Sequence, residues 1–226
     1  MFVVPFLLLI PGQLAVPSRV FSKERQEAAV AATVRIADRA RDVEGSGIIL
    51  GKKGDFVYIL TAHHLVARAK NLEIATFSSE SYPKVHRVYR SARVIAGAGD
   101  ARDLALIRLT TTDRMPGSAS LCPTRLVPTR KDFEALTVGC SEGKAPTCLA
   151  DVVAGKKLVR RGAASKSVPL WEVGRKHLEG RSGGPLVDRA GYLLGVCSGT
   201  NKEKTYFCHT EEIRAFLKEN GLDSLP

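Results

Sequence analysis

Thirteen short strand-like runs, each of four to eight residues, succeed one another along this chain, and one stretch reads clearly as a helix. The runs are Ala29–Ile36, Gly47–Leu50, Phe56–Leu60, Leu72–Phe77, Ala92–Ala96 and Leu104–Leu109, then Ala135–Gly139, Thr147–Val153, Lys157–Arg160, Leu170–Val173, Pro185–Asp188, Tyr192–Cys197 and Lys204–Cys208. Gly and Asp/Lys clusters separate several of them, which is how strands are punctuated. The Thr/Ser/Pro-rich stretch Thr110–Pro123 divides the first six from the rest. The pattern reads as an all-β protein. The exception is Thr210–Asn220, where Thr210 offers a cap and Glu211 and Glu212 suit the positive end of a helix. Ile213, Phe216 and Leu217 give that helix one apolar stripe, and Gly221 ends it.

The 226 residues are 44% hydrophobic and 25% charged, an ordinary globular balance with room for one or two cores. The net charge of +11 raises the question of nucleic acid. No metal-finger spacing, aromatic–glycine stacking motif or basic helix accompanies it, so no nucleic-acid partner is expected. None of the five cysteines forms a Cys-x-x-Cys pair, and no metal or cofactor is expected. Cys140 and Cys148 bracket one turn-rich loop, and Cys197 and Cys208 flank another; each pair is expected to bridge a hairpin as a disulfide, leaving Cys122 over. Met1–Pro11 is apolar but shorter than a membrane span. It is similar to the apolar part of a secretory signal, although no Lys or Arg precedes it and Pro5 and Pro11 interrupt it. Residues 1–22 are therefore read as a signal peptide or N-terminal anchor, the sole route to a membrane. The expected location is secreted, periplasmic or cell envelope, where disulfides persist.

The chemistry concentrates near the C-terminal end, in Gly180-Arg181-Ser182-Gly183-Gly184-Pro185-Leu186. A serine that attacks a carbonyl needs an open loop and backbone N–H groups aimed at the developing oxyanion, and flanking glycines permit both. An ordinary Gly-Ser turn would read the same by itself. Upstream, the run Phe56–Leu60 leads through Thr61-Ala62 into His63-His64, and Asp103 stands at the mouth of Leu104–Leu109. An imidazole held at a strand end and a half-buried carboxylate that fixes its tautomer are the partners such a serine requires. Asp100 is a rival carboxylate, without an apolar strand directly behind it.

In this order the three segments resemble the trypsin-like (chymotrypsin-fold) serine protease family. Thr61-Ala62-His63-His64 matches its Thr-Ala-Ala-His, Asp103-Leu-Ala-Leu-Ile its Asp-Ile-Ala-Leu-Leu, and Gly180-Arg-Ser-Gly-Gly-Pro its Gly-Asp-Ser-Gly-Gly-Pro. Gly45-Ser46-Gly47 resembles the lead-in of bacterial, HtrA-like members, here expected without their PDZ-type domain because only Leu222–Pro226 follow the helix region. The resemblance covers roughly residues 28–217. It implies two six-stranded antiparallel β-barrels, about 28–110 and 124–209, within a peptidase domain of 23–221 closed by helix 210–220. It makes His64, Asp103 and Ser182 the catalytic residues, and the N–H groups of Gly180 and Ser182 the oxyanion hole. Gly195–Gly199 falls on the strand that pairs with substrate, so Ser198, Gly199 and Thr200, together with Lys176 at the specificity pocket, become substrate-binding, with Ser198 also supporting Asp103. The implied activity is a serine endopeptidase acting on peptide or protein substrates; the alternative is an inactive binding module on the same fold.

Two positions depart from the family. Arg181 stands where many members carry an aspartate that pairs with a new N-terminal amine, so activation by that ion pair is not expected. Lys176, six residues before Ser182, stands where trypsin-type members place an acid, which argues against cleavage after Arg or Lys. Seven basic residues and a single acid, Glu172, lie between Lys156 and Lys176. That segment is either a solvated loop or a preference for acidic substrates.

Overall fold

The computed structural model describes residues 21–161 and 166–225. Twelve strands close into two antiparallel barrels. The first consists of β1 (Thr33–Asp38), β2 (Val43–Lys53), β3 (Phe56–Thr61), β4 (Leu72–Thr76), β5 (Arg87–Gly97) and β6 (Ala105–Thr110), in the order β1-β2-β3-β6-β5-β4. The second consists of β7 (Phe133–Gly139), β8 (Thr147–Val159), β9 (Val168–Val173), β10 (Pro185–Val187), β11 (Leu193–Thr200) and β12 (Thr205–His209), in the order β10-β11-β12-β9-β8-β7. This is the all-β, two-barrel fold expected from the sequence.

The period-two alternation of strands distributes the apolar residues between the barrel interiors and the space between the barrels. In β6, Ala105, Ile107 and Leu109 fill the first barrel with Val34, Ile59 and Ile74. Leu106 of the same strand turns the other way and joins Leu60, Leu170, Val196 and Cys208 between the barrels. Phe133, Trp171, Leu194 and Phe207 fill the second barrel, where the Trp171 indole N–H donates to the Leu194 carbonyl at 3.0 Å. Closure removes exposed strand edges and leaves the cleft-facing loops to carry function.

Several local expectations are corrected. Ala29–Ile36 is not one strand: Lys23–Ala31 forms helix α1, capped by the Ser22 hydroxyl, and β1 begins after it. The alanines that read as strand filler are good helix formers. Thr147–Val153 and Lys157–Arg160 belong together, since β8 runs from Thr147 to Val159 with a bulge between Val153 and Gly155. Seven expected strands thereby become six. The C-terminal helix α4 spans Thr210–Glu219; its cap is His209, whose ring accepts from the Glu211 amide. Thr210 instead donates its hydroxyl to the Leu194 carbonyl at 2.6 Å. The apolar stripe of α4, Ile213, Phe216 and Leu217, is buried in the inter-barrel core. Of the N-terminal segment 1–22, residues 1–20 lie outside the described residues. Phe21 packs with Leu136, Val138 and Val187 and so belongs to the barrel body.

The expected disulfides are absent: all five cysteines are free thiols. Register explains this. Cys197 pairs with Phe207 and Cys208 with Val196, so the two cysteines point to opposite faces of the β11–β12 ribbon. One enters the second barrel and the other the inter-barrel core. On β8, Cys148 pairs with Val138, whereas Cys140 lies past the end of β7 where the chain turns away.

Candidate active site

β3 ends at Thr61 and the chain turns into helix α2, His63–Val66. The one-turn helix α3, Gly99–Arg102, ends at Asp103, whose φ of 53° terminates it and turns the carboxylate back toward α2. The two histidines divide their roles. His63 donates its amide to the Asp103 carbonyl at 3.1 Å and packs its ring over Gly97. His64 donates its amide to Asp103 Oδ1 at 2.9 Å, and its Nδ1 lies 2.9 Å from Oδ2 and 3.0 Å from Oδ1. A ring nitrogen between two carboxylate oxygens carries the proton, which leaves Nε2 free to accept one. Asp103 is buried, while the His64 ring is 45% exposed and so open to a substrate. The Ser198 hydroxyl donates to Asp103 Oδ2 at 2.5 Å. Burial works to raise the Asp103 carboxyl, but the hydrogen bond and charge of His64, the Ser198 hydroxyl and the His64 amide together hold it below the usual range. Asp100 is exposed on α3, and the carboxylate in contact with His64 is that of Asp103.

Ser182 comes from the second barrel, and Ser46 of β2 joins it to the first. The Ser46 amide donates to the Ser182 carbonyl at 2.8 Å, its hydroxyl donates to the Gly180 carbonyl at 2.8 Å, and the Cys140 amide donates to that hydroxyl at 2.9 Å. The Thr61 hydroxyl holds the Ser46 carbonyl at 2.7 Å. Gly183, at φ 81°, sits so close that a Cβ would collide with the Ser46 carbonyl and the Thr61 hydroxyl. The Ser182 loop is therefore docked on the end of β3, where the chain turns into His64.

Gly180, at φ 84°, presses on the Cys140 carbonyl in a conformation and a space open only to glycine. The Glu179 carbonyl, in the same peptide unit as the Gly180 amide, accepts from the Glu142 amide at 2.9 Å. In a trans peptide the N–H points opposite to the C=O, so Gly180 N–H faces away from Glu142. Among the described residues, neither the Gly180 nor the Ser182 amide donates to a backbone acceptor. Two unengaged amides flanking a serine can hold an oxyanion.

Arg181 is buried, and its guanidinium is threaded between β7 and β8. Nη1 donates to the Gly139 carbonyl at 3.2 Å and to Thr147 Oγ1 at 2.9 Å. Nη2 donates to the carbonyls of Thr137 at 3.0 Å and Thr147 at 3.1 Å. Burial pulls the Arg181 group below its ordinary range, in keeping with a cation solvated by carbonyls and hydroxyls. The loop is thus anchored by a fan of neutral acceptors at the position where an ion pair serves other family members.

Thr137 passes this network on to a second buried cluster. Its hydroxyl donates to Asp151 Oδ2 at 3.1 Å, His177 Nε2 lies 2.9 Å from the same oxygen, and Arg175 Nε lies 3.1 Å from Oδ1. Lys176 is exposed, and the side chain turned into the barrel is its neighbour His177. Of the basic residues between 156 and 176, Lys156 pairs with Glu211, Arg161 with Asp103 and Arg175 with Asp151. Gly199 follows a bulge in β11, and Thr200 is exposed beside Thr205.

The motif reading named His64, Asp103, Ser182 and Ser198, of which His64, Asp103 and Ser198 are in hydrogen-bond contact. It assigned no role to Ser46 beyond the lead-in, or to Thr61, Asp151, His177 or Arg161. A serine between two glycines in β2 was the one available signal for Ser46.

Residues 45–196 match the family model of the trypsin-like peptidase domain, and the chain belongs to that family. Its fold is similar to that of the Rv3671c protease of M. tuberculosis. The inactive form of that protein gives a TM-score of 0.71 at 18% identity, covering 87% of this chain and 92% of the other. The active form gives 0.70 at 18% identity, with 88% and 85% covered. Deg5 gives 0.67 at 19% identity, with 85% and 90% covered. No curated protein matches the sequence. The chain is a peptidase of trypsin-like fold, and such a fold takes peptide or protein substrates.

Proposed function

We propose that this protein is a serine endopeptidase working through His64, Asp103 and Ser182. In this reading Ser182 Oγ attacks the peptide carbonyl while His64 Nε2 takes its proton and later delivers it to the leaving amine. Asp103 keeps the proton on Nδ1 and stabilises the imidazolium. The amides of Gly180 and Ser182 hold the oxyanion of each tetrahedral intermediate, and water resolves the acyl-enzyme. The observation that carries the reading is the docking of the Ser182 loop, through Ser46 and Thr61, onto the strand end that presents a His64 already gripped by Asp103. The Ser182 hydroxyl has no hydrogen-bond partner among the described residues, and such contacts commonly tighten only with substrate bound.

Cleavage after Arg or Lys is not part of the proposal. Asp151, the buried carboxylate beside the segment that leads to Ser182, is already held by Arg175, His177 and Thr137. Reaction with a fluorophosphonate probe tests the proposal. Labelling of the wild type that disappears in Ser182→Ala supports it. A folded wild type that never labels overturns it and leaves the fold as a binding module.

A further inference from the structure

The Asp103 carboxylate has one partner that the catalytic reading does not use. Arg161, just beyond the end of β8 in the second barrel, donates Nη1 to Asp103 Oδ2 at 3.2 Å. Its Nη2 reaches the Ser198 carbonyl at 3.4 Å. The side chain is 25% exposed and the carboxylate 3%, so this pair is screened less than a surface ion pair. Ser198 lies at the β11 bulge and has no strand partner of its own, so the guanidinium ties the end of β8 to β11 and to the carboxylate at once.

We infer that Arg161 is a positioning residue whose charge sets the pH range in which the His64–Asp103 pair accepts a proton. The charge count gives the reason. With a neutral imidazole, Asp103 and Arg161 already balance, and protonating His64 leaves the cluster with one net positive charge. Without Arg161 the same proton would only neutralise the carboxylate. A guanidinium on Asp103 therefore opposes formation of the imidazolium, both by like charge and by drawing on the oxygen that His64 shares. It keeps the pair ready to accept a proton further into acid.

The other charged groups around the pair are few. From α2, His63 presents its ring to Gly97 and not to the carboxylate. Arg102, next in sequence to Asp103, is turned away onto Glu212 and Glu219. Cys197 and Cys208, which feel the Asp103 charge from the second barrel, are thiols pushed upward by burial and so neutral. Arg161 is the cation left in contact with Asp103 among the described residues.

This inference rests on the proposed catalytic reading, and its test separates the two. The fluorophosphonate labelling rate is followed against pH for the wild type, Arg161→Lys, Arg161→Gln and Arg161→Met, with folding of each checked by thermal melting. The acid limb is expected to move up by about one pH unit in Arg161→Gln and Arg161→Met. Arg161→Lys, which keeps the charge, is expected to stay near the wild type. If the neutral variants lose rate equally at every pH and the limb stays in place, Arg161 is a structural anchor and the inference is wrong. If the wild type labels at no pH, the catalytic reading fails first.

Discussion

The Ser46 amide donates to the Ser182 carbonyl at 2.8 Å, so a strand of the first barrel grips the loop of the second. The Ser46 hydroxyl adds a second hold on the Gly180 carbonyl and accepts from the Cys140 amide. Ser46→Ala leaves both buried backbone groups without a side-chain partner. We expect a loss of about 1–3 kcal/mol in urea unfolding. We also expect kcat/KM on a peptide substrate to fall on the order of 10²-fold, because the Ser182 loop loses its fixed position. Unchanged activity would show that the amide bond alone holds the loop.

Arg181 supports the same loop from beneath. Arg181→Met removes the donors of the Thr137, Gly139 and Thr147 carbonyls, at a cost on the order of 3 kcal/mol in thermal or urea unfolding. Arg181→Asp introduces the residue that many family members carry here, yet it should be the worse variant. Its carboxylate would face the same carbonyl oxygens with no cation beside it. Expression in soluble form and the unfolding midpoint distinguish the two. A stable, active Arg181→Asp would show that the loop can be organised in the other family manner.

His209 links the site's scaffold to pH. Burial pushes its imidazole down to about 4, with Glu211 opposing and Lys156 assisting. A base held below its unfolded value favours the neutral ring in the folded state. Its contribution is full above the unfolded value near 6.5 and is lost as pH falls toward 4, amounting to about 3 kcal/mol. The melting temperature of the wild type should therefore fall more steeply between pH 7 and pH 4.5 than that of His209→Asn, which keeps a capping oxygen for the Glu211 amide. Parallel curves for the two proteins would contradict this.

The five thiols give a direct chemical test of the barrel register. Burial raises Cys140 to about 12 and Cys122, Cys148 and Cys197 to about 11, and it raises Cys208 as well. Native protein should react slowly with iodoacetamide, Cys148 first because it is the one not fully buried. In denaturant without reductant, intact mass should show five adducts. Fewer adducts would reveal a disulfide.

Much of the fold was legible because strand alternation is a local property. Val57 and Ile59 face one way and Leu60 the other whatever the partner strands are. Where composition outweighed pattern the reading slipped, as at Ala29–Ala31, whose alanines suit either element. The disulfide expectation failed for a related reason. Two cysteines flanking a turn look adjacent, but a one-residue offset in register sends Cys197 and Cys208 to opposite faces. Of the candidate site, the residues that carry the proposed chemistry were legible because proton transfer and acyl attack demand particular side chains in particular local settings. Lys176 was read from its spacing to Ser182, and spacing alone did not reveal that His177 is the residue turned inward.

By itself the sequence determined an all-β chain, the family, and the three side chains on which the proposed chemistry rests, because each follows from short-range pattern or from an indispensable functional group. Only the tertiary structure decided how those side chains are held. Ser46 reaches Ser182 across 136 positions of chain, and Arg161 reaches Asp103 across 58. Barrel closure and register create such contacts, and no local preference encodes them.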